Sequence, residues 1–292
     1  GFVPVAPSKA DAIVVPEGYE AYVLYAWGDP VSDGPAFRQD ASNTVADQVQ
    51  QAGMHHDALH YFAMVERSAR SSTHGLLVVN HEYTDDGLLH ADGMRTWTAE
   101  KVAKSQAAHG VSVVEARVVG GRWTIVRPSR YARRVTGTTP IRVSGPAAGD
   151  AAMRTPDDAS GRVVLGTINN CAHGVTPWGT YLACEENFNG YFVNASGSVP
   201  PEQQRYGING KGFGYRWHVF DERFDAAKHP NEPNRFGWVV EVDPWDPRST
   251  PVKRTALGRF KHEGATVALA ADGRVVVYMG DDERFEYVYK FV

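Results

Sequence analysis

The stretch Gly166–Asn187, GTINNCAHGVTPWGTYLACEEN, decides how the rest of the chain reads. A strand arrives at Asn169-Asn170-Cys171, and the chain turns through His173-Gly174-Val175-Thr176-Pro177. A second strand then runs from Gly179 to Cys184 and ends on the carboxylate doublet Glu185-Glu186. A thiol at the end of one strand and two acids at the end of its neighbour can face one small volume. Thiolate, carboxylate and amide oxygen together form the donor set of a metal site. Taken alone, the stretch reads equally well as a β-hairpin with a buried cysteine and two solvated acids.

The pattern recurs on both sides. Upstream, His55-His56-Asp57-Ala58-Leu59-His60 leads through a polar turn into Gly75-Leu76-Leu77-Val78-Val79-Asn80-His81-Glu82. Downstream, Lys261-His262-Glu263-Gly264 leads through Ala271-Asp272-Gly273 into Arg274-Val275-Val276-Val277-Tyr278-Met279-Gly280-Asp281-Asp282. Each unit has a polar segment with a potential ligand, a turn, and an apolar strand closed by an acid. The closing acids Glu82, Glu186 and Asp282 are 186−82 = 104 and 282−186 = 96 residues apart. Propeller blades run about 40–50 residues, so each step fits two blades. A propeller gathers its inner strands around one channel, where acids at equivalent strand ends converge. Converging carboxylates repel in a low-dielectric site and call for cations. The alternative is three surface strands that each end in a hydrophilic turn.

With 292 residues the chain suffices for one large or two ordinary domains, and its 29 Gly, 17 Pro and 13 Tyr suit many short strands and tight turns. This points to an all-β fold in a single domain over residues 1–292. A net charge of −4 offers no basic field for nucleic acid or an anionic membrane, so bound cations must attract an anionic substrate. No apolar run approaches the ~20 residues needed to span a bilayer. The chain starts at Gly1 without Met and stops at Tyr289-Lys290-Phe291-Val292 in what reads as mid-strand. Both ends lead us to expect a processed product, truncated at its C-terminal side.

Residues 2–18 read as an extended, Pro-punctuated lead-in, and Tyr19–Trp27 as a strand closed by Gly28-Asp29-Pro30. The composition predicts one short helix, Ala99–Ala108, capped by Thr98 and followed by Gly110. A hairpin is expected over residues 110–127 around Gly120-Gly121, and strands over Arg235–Val242, Val252–Phe260 and Tyr287–Val292. Residues 128–160 and 188–235 read as long loop insertions. Arg127, Arg130, Arg133 and Arg134 could meet phosphate but more often form a solvated face. The histidines of HHDALH lack the H-E-x-x-H arrangement of zinc hydrolases and are expected to be hydrogen-bonded structural groups. Cys171 and Cys184, 13 residues apart, are either a disulfide or a liganded Cys171 beside a core cysteine. No nucleotide-binding glycine loop, G-x-S-x-G elbow or kinase signature occurs.

Beyond this reading, the residues resemble the PhoX-type alkaline phosphatases. The matching segments include Trp27-Gly28-Asp29-Pro30, Asn80-His81-Glu82-Tyr83, Thr167-Ile168-Asn169-Asn170-Cys171 and Thr176-Pro177-Trp178-Gly179-Thr180. Cys184-Glu185-Glu186-Asn187, Arg235-Phe236-Gly237-Trp238, His262-Glu263-Gly264 and Gly280-Asp281-Asp282-Glu283 continue the series. The resemblance covers nearly the whole chain in order, and it implies a six-bladed β-propeller, incomplete here. It also implies a periplasmic or secreted monomer with a cluster of ferric iron and calcium that hydrolyses phosphate monoesters, with diesters as an extension. Carried over by motif, Cys171 becomes an iron ligand, and Glu82, Glu186 or its neighbour Glu185, and Glu263 become metal ligands. Lys261 contacts phosphate, and Glu263 and Lys261 together form the catalytic pair. Asp281 and Asp282 are weaker carry-overs, while Asp57 comes from the repeat. His173 stands where the family pattern leads us to expect a smaller residue. A lysine at 261 would hold phosphate as a point charge without a bidentate fork.

The chemistry agrees with the resemblance, since clustered cations can neutralise a phosphate dianion, activate an oxygen nucleophile and stabilise the leaving oxygen. Two alternatives remain open from sequence: a calcium-dependent lactonase-like hydrolase and a calcium-stabilised propeller acting as a binding module. A thiolate ligand at Cys171 speaks against the first. An open cation position would speak against the second.

Overall fold

The apolar strands of the three recurrent units each pair back on the segment before them, and each resulting hairpin seeds one sheet. This is seen in a computed structural model of the protein, which describes residues 2–66 and 68–292. The first sheet contains β1 (His56–Glu66), β2 (Ala69–His81), β3 (Gly110–Val119), β4 (Arg122–Ile125) and β5 (Arg133–Val135). β1, β2 and β3 run antiparallel in that order, and β4 and β5 share the far edge of β3. The second sheet contains β6 (Pro140–Ser144), β7 (Val163–Leu165), β8 (Asn170–Val175), β9 (Tyr181–Glu185), β10 (Val239–Val242) and β11 (Val252–Arg254). Its order is β7-β6-β11-β10-β9-β8, antiparallel except for β6–β11. The third sheet is the meander β12 (Thr266–Leu269), β13 (Val275–Gly280), β14 (Val288–Phe291).

Alternation along β9 sets how the sheets stack. Tyr181 and Ala183 join Val240 and Val242 against Leu76, Val78, Val111 and Val113 of the first sheet. Leu182 and Cys184 join Val239 against Ala265, Val277 and Met279 of the third. Successive side chains of a strand point to opposite faces, so one five-residue strand supplies both cores. The second sheet is therefore packed between the other two. The third approaches closely at Gly174, where an added Cβ would lie 1.8 Å from the carbonyl oxygen of Ala265.

The all-β expectation holds in the sense that the architecture is mostly sheet with few helices. The three sheets do not close into a barrel among the described residues. The expected helix is present at Ala99–Ala107 with Thr98 as its cap, joined by three single-turn helices at Val45–Gln48, Asp86–Leu89 and Pro201–Gln204. The Gly120-Gly121 hairpin forms as β3–β4. Tyr19–Trp27 is not a strand, because both edges of β3 are taken. Instead Leu24, Tyr25 and Val31 cover the outer face of the first sheet at Val114, Ala116 and Ile125. Residues 235–242 and 252–260 yield only the short β10 and β11. Residues 188–235 fold as turns around a buried aromatic group that includes Phe188, Tyr191, Phe192, Trp217, Phe224 and Phe236. No helix is long and apolar enough to cross a membrane.

Candidate metal centre

The mouths of the three hairpins are built alike. At each, one residue pair closes the ladder: His56↔His81, Asn170↔Glu185 and His262↔Asp281. The residue after each second partner donates its N–H to the residue before each first partner. Glu82 N bonds His55 O at 3.1 Å, Glu186 N bonds Asn169 O at 2.9 Å, and Asp282 N bonds Lys261 O at 3.1 Å. Past the closing pair, each first strand carries one more residue than its partner. The step is 56 to 59 against 81 to 79, 170 to 173 against 185 to 183, and 262 to 266 against 281 to 278. Such a bulge re-aims the side chain beside it. The residues so presented are Asp57 with Glu82, Cys171 with Glu186, and Glu263 with Asp282.

These side chains meet. Donor atoms of Asp57, Glu82 and Cys171 lie within 4.8 Å of one another, as do those of Cys171, Glu186 and Glu263. The Cys171 sulfur joins both groups, 3.5 Å from Asp57 Oδ2 and 3.4 Å from Glu263 Oε1. The carboxyl of Asp282 is within hydrogen-bonding reach of Glu186. Asn80 bridges the first and second sheets behind the sulfur, its amide donating to Cys171 O at 2.5 Å and Ala172 O at 3.2 Å. Tyr181 Oη in turn reaches Asn80 Oδ1 at 3.1 Å. The third sheet is tied in by Ala172 N on Glu263 O at 3.0 Å.

Crowding of negative groups shows in their protonation. Burial, then the neighbouring Asp57, Glu186 and Glu263, push the Glu82 carboxyl up to about 8. Burial, with Glu263 and Asp282 adding, pushes Glu186 up to about 7 against the opposing hydrogen bond from Asn187. The Cys171 thiol is pushed far up by burial and by Asp57, Glu263 and Glu82. Among the described residues, no Lys or Arg pairs with Asp57, Glu82, Glu186, Glu263 or Asp282. Carboxyls and a thiol gathered this closely without a protein cation form a cluster that a bound metal would stabilise. The donor set fits hard cations through the carboxylates and a softer one through sulfur.

Three expected residues stand elsewhere. Glu185 is fully buried, and its oxygens take Lys253 Nζ at 2.7 Å, Thr167 Oγ1 at 2.8 Å, and the N–H groups of Gly237 and Trp238 at 3.0 Å each. Neighbours in an extended chain point oppositely, so Glu186 alone of the doublet faces the cluster. Asp281, at the same position in the third hairpin, turns away to cap Glu283 N at 3.1 Å, near Arg205 and Glu286. Lys261 is nearly buried at the rim with its ammonium on Glu283. The cysteines are not bonded to each other, Cys184 lying on the core face with Leu182 and Met279.

Of the other candidates, Arg134 is half-buried and donates to the carbonyls of Gln51, Ala107 and His109, while Arg133 holds Ser249. Arg127 pairs with Asp29 and Arg130 stacks on Tyr131, so each of the four arginines is engaged within the protein. Of the early histidines, His55 stacks on Tyr83 and His56 packs against Tyr25 and His81. Sequence reading missed Asn80 and the equivalence of His55, Asn169 and Lys261. Aligning the three units on their closing acids would have exposed the latter.

The chain as a whole is similar to known proteins. A family model described as alkaline phosphatase PhoX matches residues 1–292. The solved structure of Pseudomonas fluorescens PhoX in complex with vanadate, a transition state analogue, superposes with a TM-score of 0.95 at 49% identity.

The chain belongs to the PhoX alkaline phosphatase family.

That superposition covers 100% of this chain and 50% of the Pseudomonas fluorescens PhoX chain, so the PhoX-family chain spans about half the length of that relative. A comparison with curated proteins gives no significant match.

Proposed function

We propose that this chain supplies metal-binding blades of a phosphatase that hydrolyses phosphate monoesters, and by extension diesters, at a cluster of ferric iron and calcium. The observation that carries the reading is the convergence of Asp57, Glu82, Cys171, Glu186 and Glu263 at like positions of separate hairpins. The relative's vanadate complex supports phosphate chemistry for the family. Vanadate adopts the five-coordinate shape of a phosphoryl group in transit.

In this reading Cys171, the one soft donor, holds iron, and Glu82, Glu186, Glu263, Asp57 and Asp282 share iron and calcium. Bound cations would neutralise the phosphate oxygens and activate the attacking oxygen. The protein's own groups do the rest. Asn80 fixes the strand that presents Cys171, and Glu263, exposed at the rim, orients its part of the cluster. Lys261 leaves Glu283 to meet the incoming phosphate. Glu82 and Glu186 give up their protons as metal enters. The stacking of three sheets with their hairpin mouths together supports a six-bladed propeller. The outer edge of β14, where Val288, Tyr289 and Phe291 are exposed, would then adjoin the next blade. A periplasmic or secreted monomer fits this reading.

The test is elemental analysis beside hydrolysis of a chromogenic phosphate monoester, for the wild type and Cys171→Ala in the full-length protein. Iron with calcium, and joint loss of iron and at least ~100-fold of activity in the variant, is the expected result, beyond the 10–100-fold cost of losing a supporting partner. Calcium alone without hydrolysis would sink the proposal.

A further inference from the structure

His60 on β1 and His173 on β8 face each other across the first and second sheets, with ring centres 5.5 Å apart and planes inclined at 49°. Two imidazoles that share one tetrahedral cation hold their ring centres about 5–5.5 Å apart, given metal–nitrogen bonds of about 2.0–2.1 Å. Both rings are held in place by aromatic neighbours. His173 lies flat on Tyr181, at 5.2 Å and 9°, and His60 packs edge-on to Phe62 at 4.8 Å.

Four other histidines bond within the protein through at least one ring nitrogen. His74 bonds Glu66 and Glu115, His81 bonds Ser112, His109 bonds Ser105 and Tyr191, and His262 bonds Gly258. Neither His60 nor His173 makes a side-chain hydrogen bond or ion pair among the described residues. Both are half-buried, so their nitrogens are partly dehydrated yet reachable by an ion that completes its coordination with water. A site of imidazole without carboxylate favours zinc, cobalt, nickel or copper over calcium.

We infer that His60 and His173 form a second cation site, for a d-block divalent ion, that clips the first sheet to the second apart from the acidic cluster. The ion binds only when β1 and β8 are docked, so it stabilises the folded chain by mass action.

The experiment titrates Co²⁺ into the protein with its acidic cluster loaded with Fe³⁺ and Ca²⁺, reading cobalt absorption and the shift in Tm. The wild type and Cys171→Ser are expected to bind one saturable equivalent and to gain Tm. His60→Ala, and His173→Phe with its stack on Tyr181 kept, are expected to lose both signals while unfolding cooperatively without cobalt. Cobalt binding that survives both histidine variants, that disappears in Cys171→Ser, or that never occurs in the wild type would overturn the inference.

Discussion

At the scale of single residues, parity along an extended chain separates the acids that face the cluster from those that support the fold. Glu186 and Asp282 face the cluster, whereas Glu185 and Asp281, one position earlier, face the protein. Glu185 is half of a buried ion pair whose lysine also lies 4.0 Å from the ring of Phe236. Burial lowers the Lys253 ammonium to about 8, and Glu185 holds it up. Removing one partner of a buried pair strands the other, so Lys253→Met should destabilise the chain by about 3–5 kcal/mol in chemical denaturation. Metal content per folded molecule should stay unchanged. Asn80 behaves in the opposite way, because it ties the carbonyls of Cys171 and Ala172 to the first sheet. Asn80→Ala should weaken metal retention by about 10–100-fold in competition with a chelator, as loss of a supporting partner does. Retention equal to wild type would remove Asn80 from the site.

At the scale of elements, the repeated hairpin with its bulge is the working unit. The bulge turns Asp57 and Cys171 toward the common centre, and the same extra residue precedes β12 after Glu263. The hairpins must also stand at the right distance from one another. Between the second and third sheets that distance is set at Gly174, where the carbonyl of Ala265 occupies the place of a side chain. Gly174→Val would push β12 away and draw Glu263 from Cys171. We expect a loss of at least about 1–3 kcal/mol in stability, the usual cost of overpacking. Far-ultraviolet circular dichroism should retain sheet while metal stoichiometry falls. Normal stoichiometry in this variant would show that the spacing is set elsewhere.

At the scale of the whole molecule, the chain folds an uncompensated acidic centre, and pH should reveal it. Glu82 rises from an ordinary 4.5 to about 8 and Glu186 to about 7 on folding without metal. Between those values the native state holds more protons than the unfolded one. Stability of the metal-stripped chain is therefore fully present below 4.5 and declines as pH rises toward 8. Adding metal displaces those protons, so the stabilisation it confers should grow over the same interval. Thermal unfolding across this range, with and without metal, checks both slopes. A metal-free Tm that rises from pH 5 to 8 would contradict the crowding of carboxyls.

What the sequence determined by itself was local and repetitive. Apolar runs flanked by turns declared the hairpins, the closing acids marked their ends, and motif order carried the family and most of the residues that converge in the acidic cluster. These signals survive because strand pairing and turn chemistry act between neighbours in the chain. The tertiary structure alone decided which acid of each doublet faces the centre and that Cys171 and Cys184 stand on different faces. It also brought Asp57, Cys171 and Glu263, which are more than ninety residues apart in sequence, around one sulfur. Those outcomes depend on register, bulges and sheet-to-sheet packing, where a slip of one residue reverses every side chain.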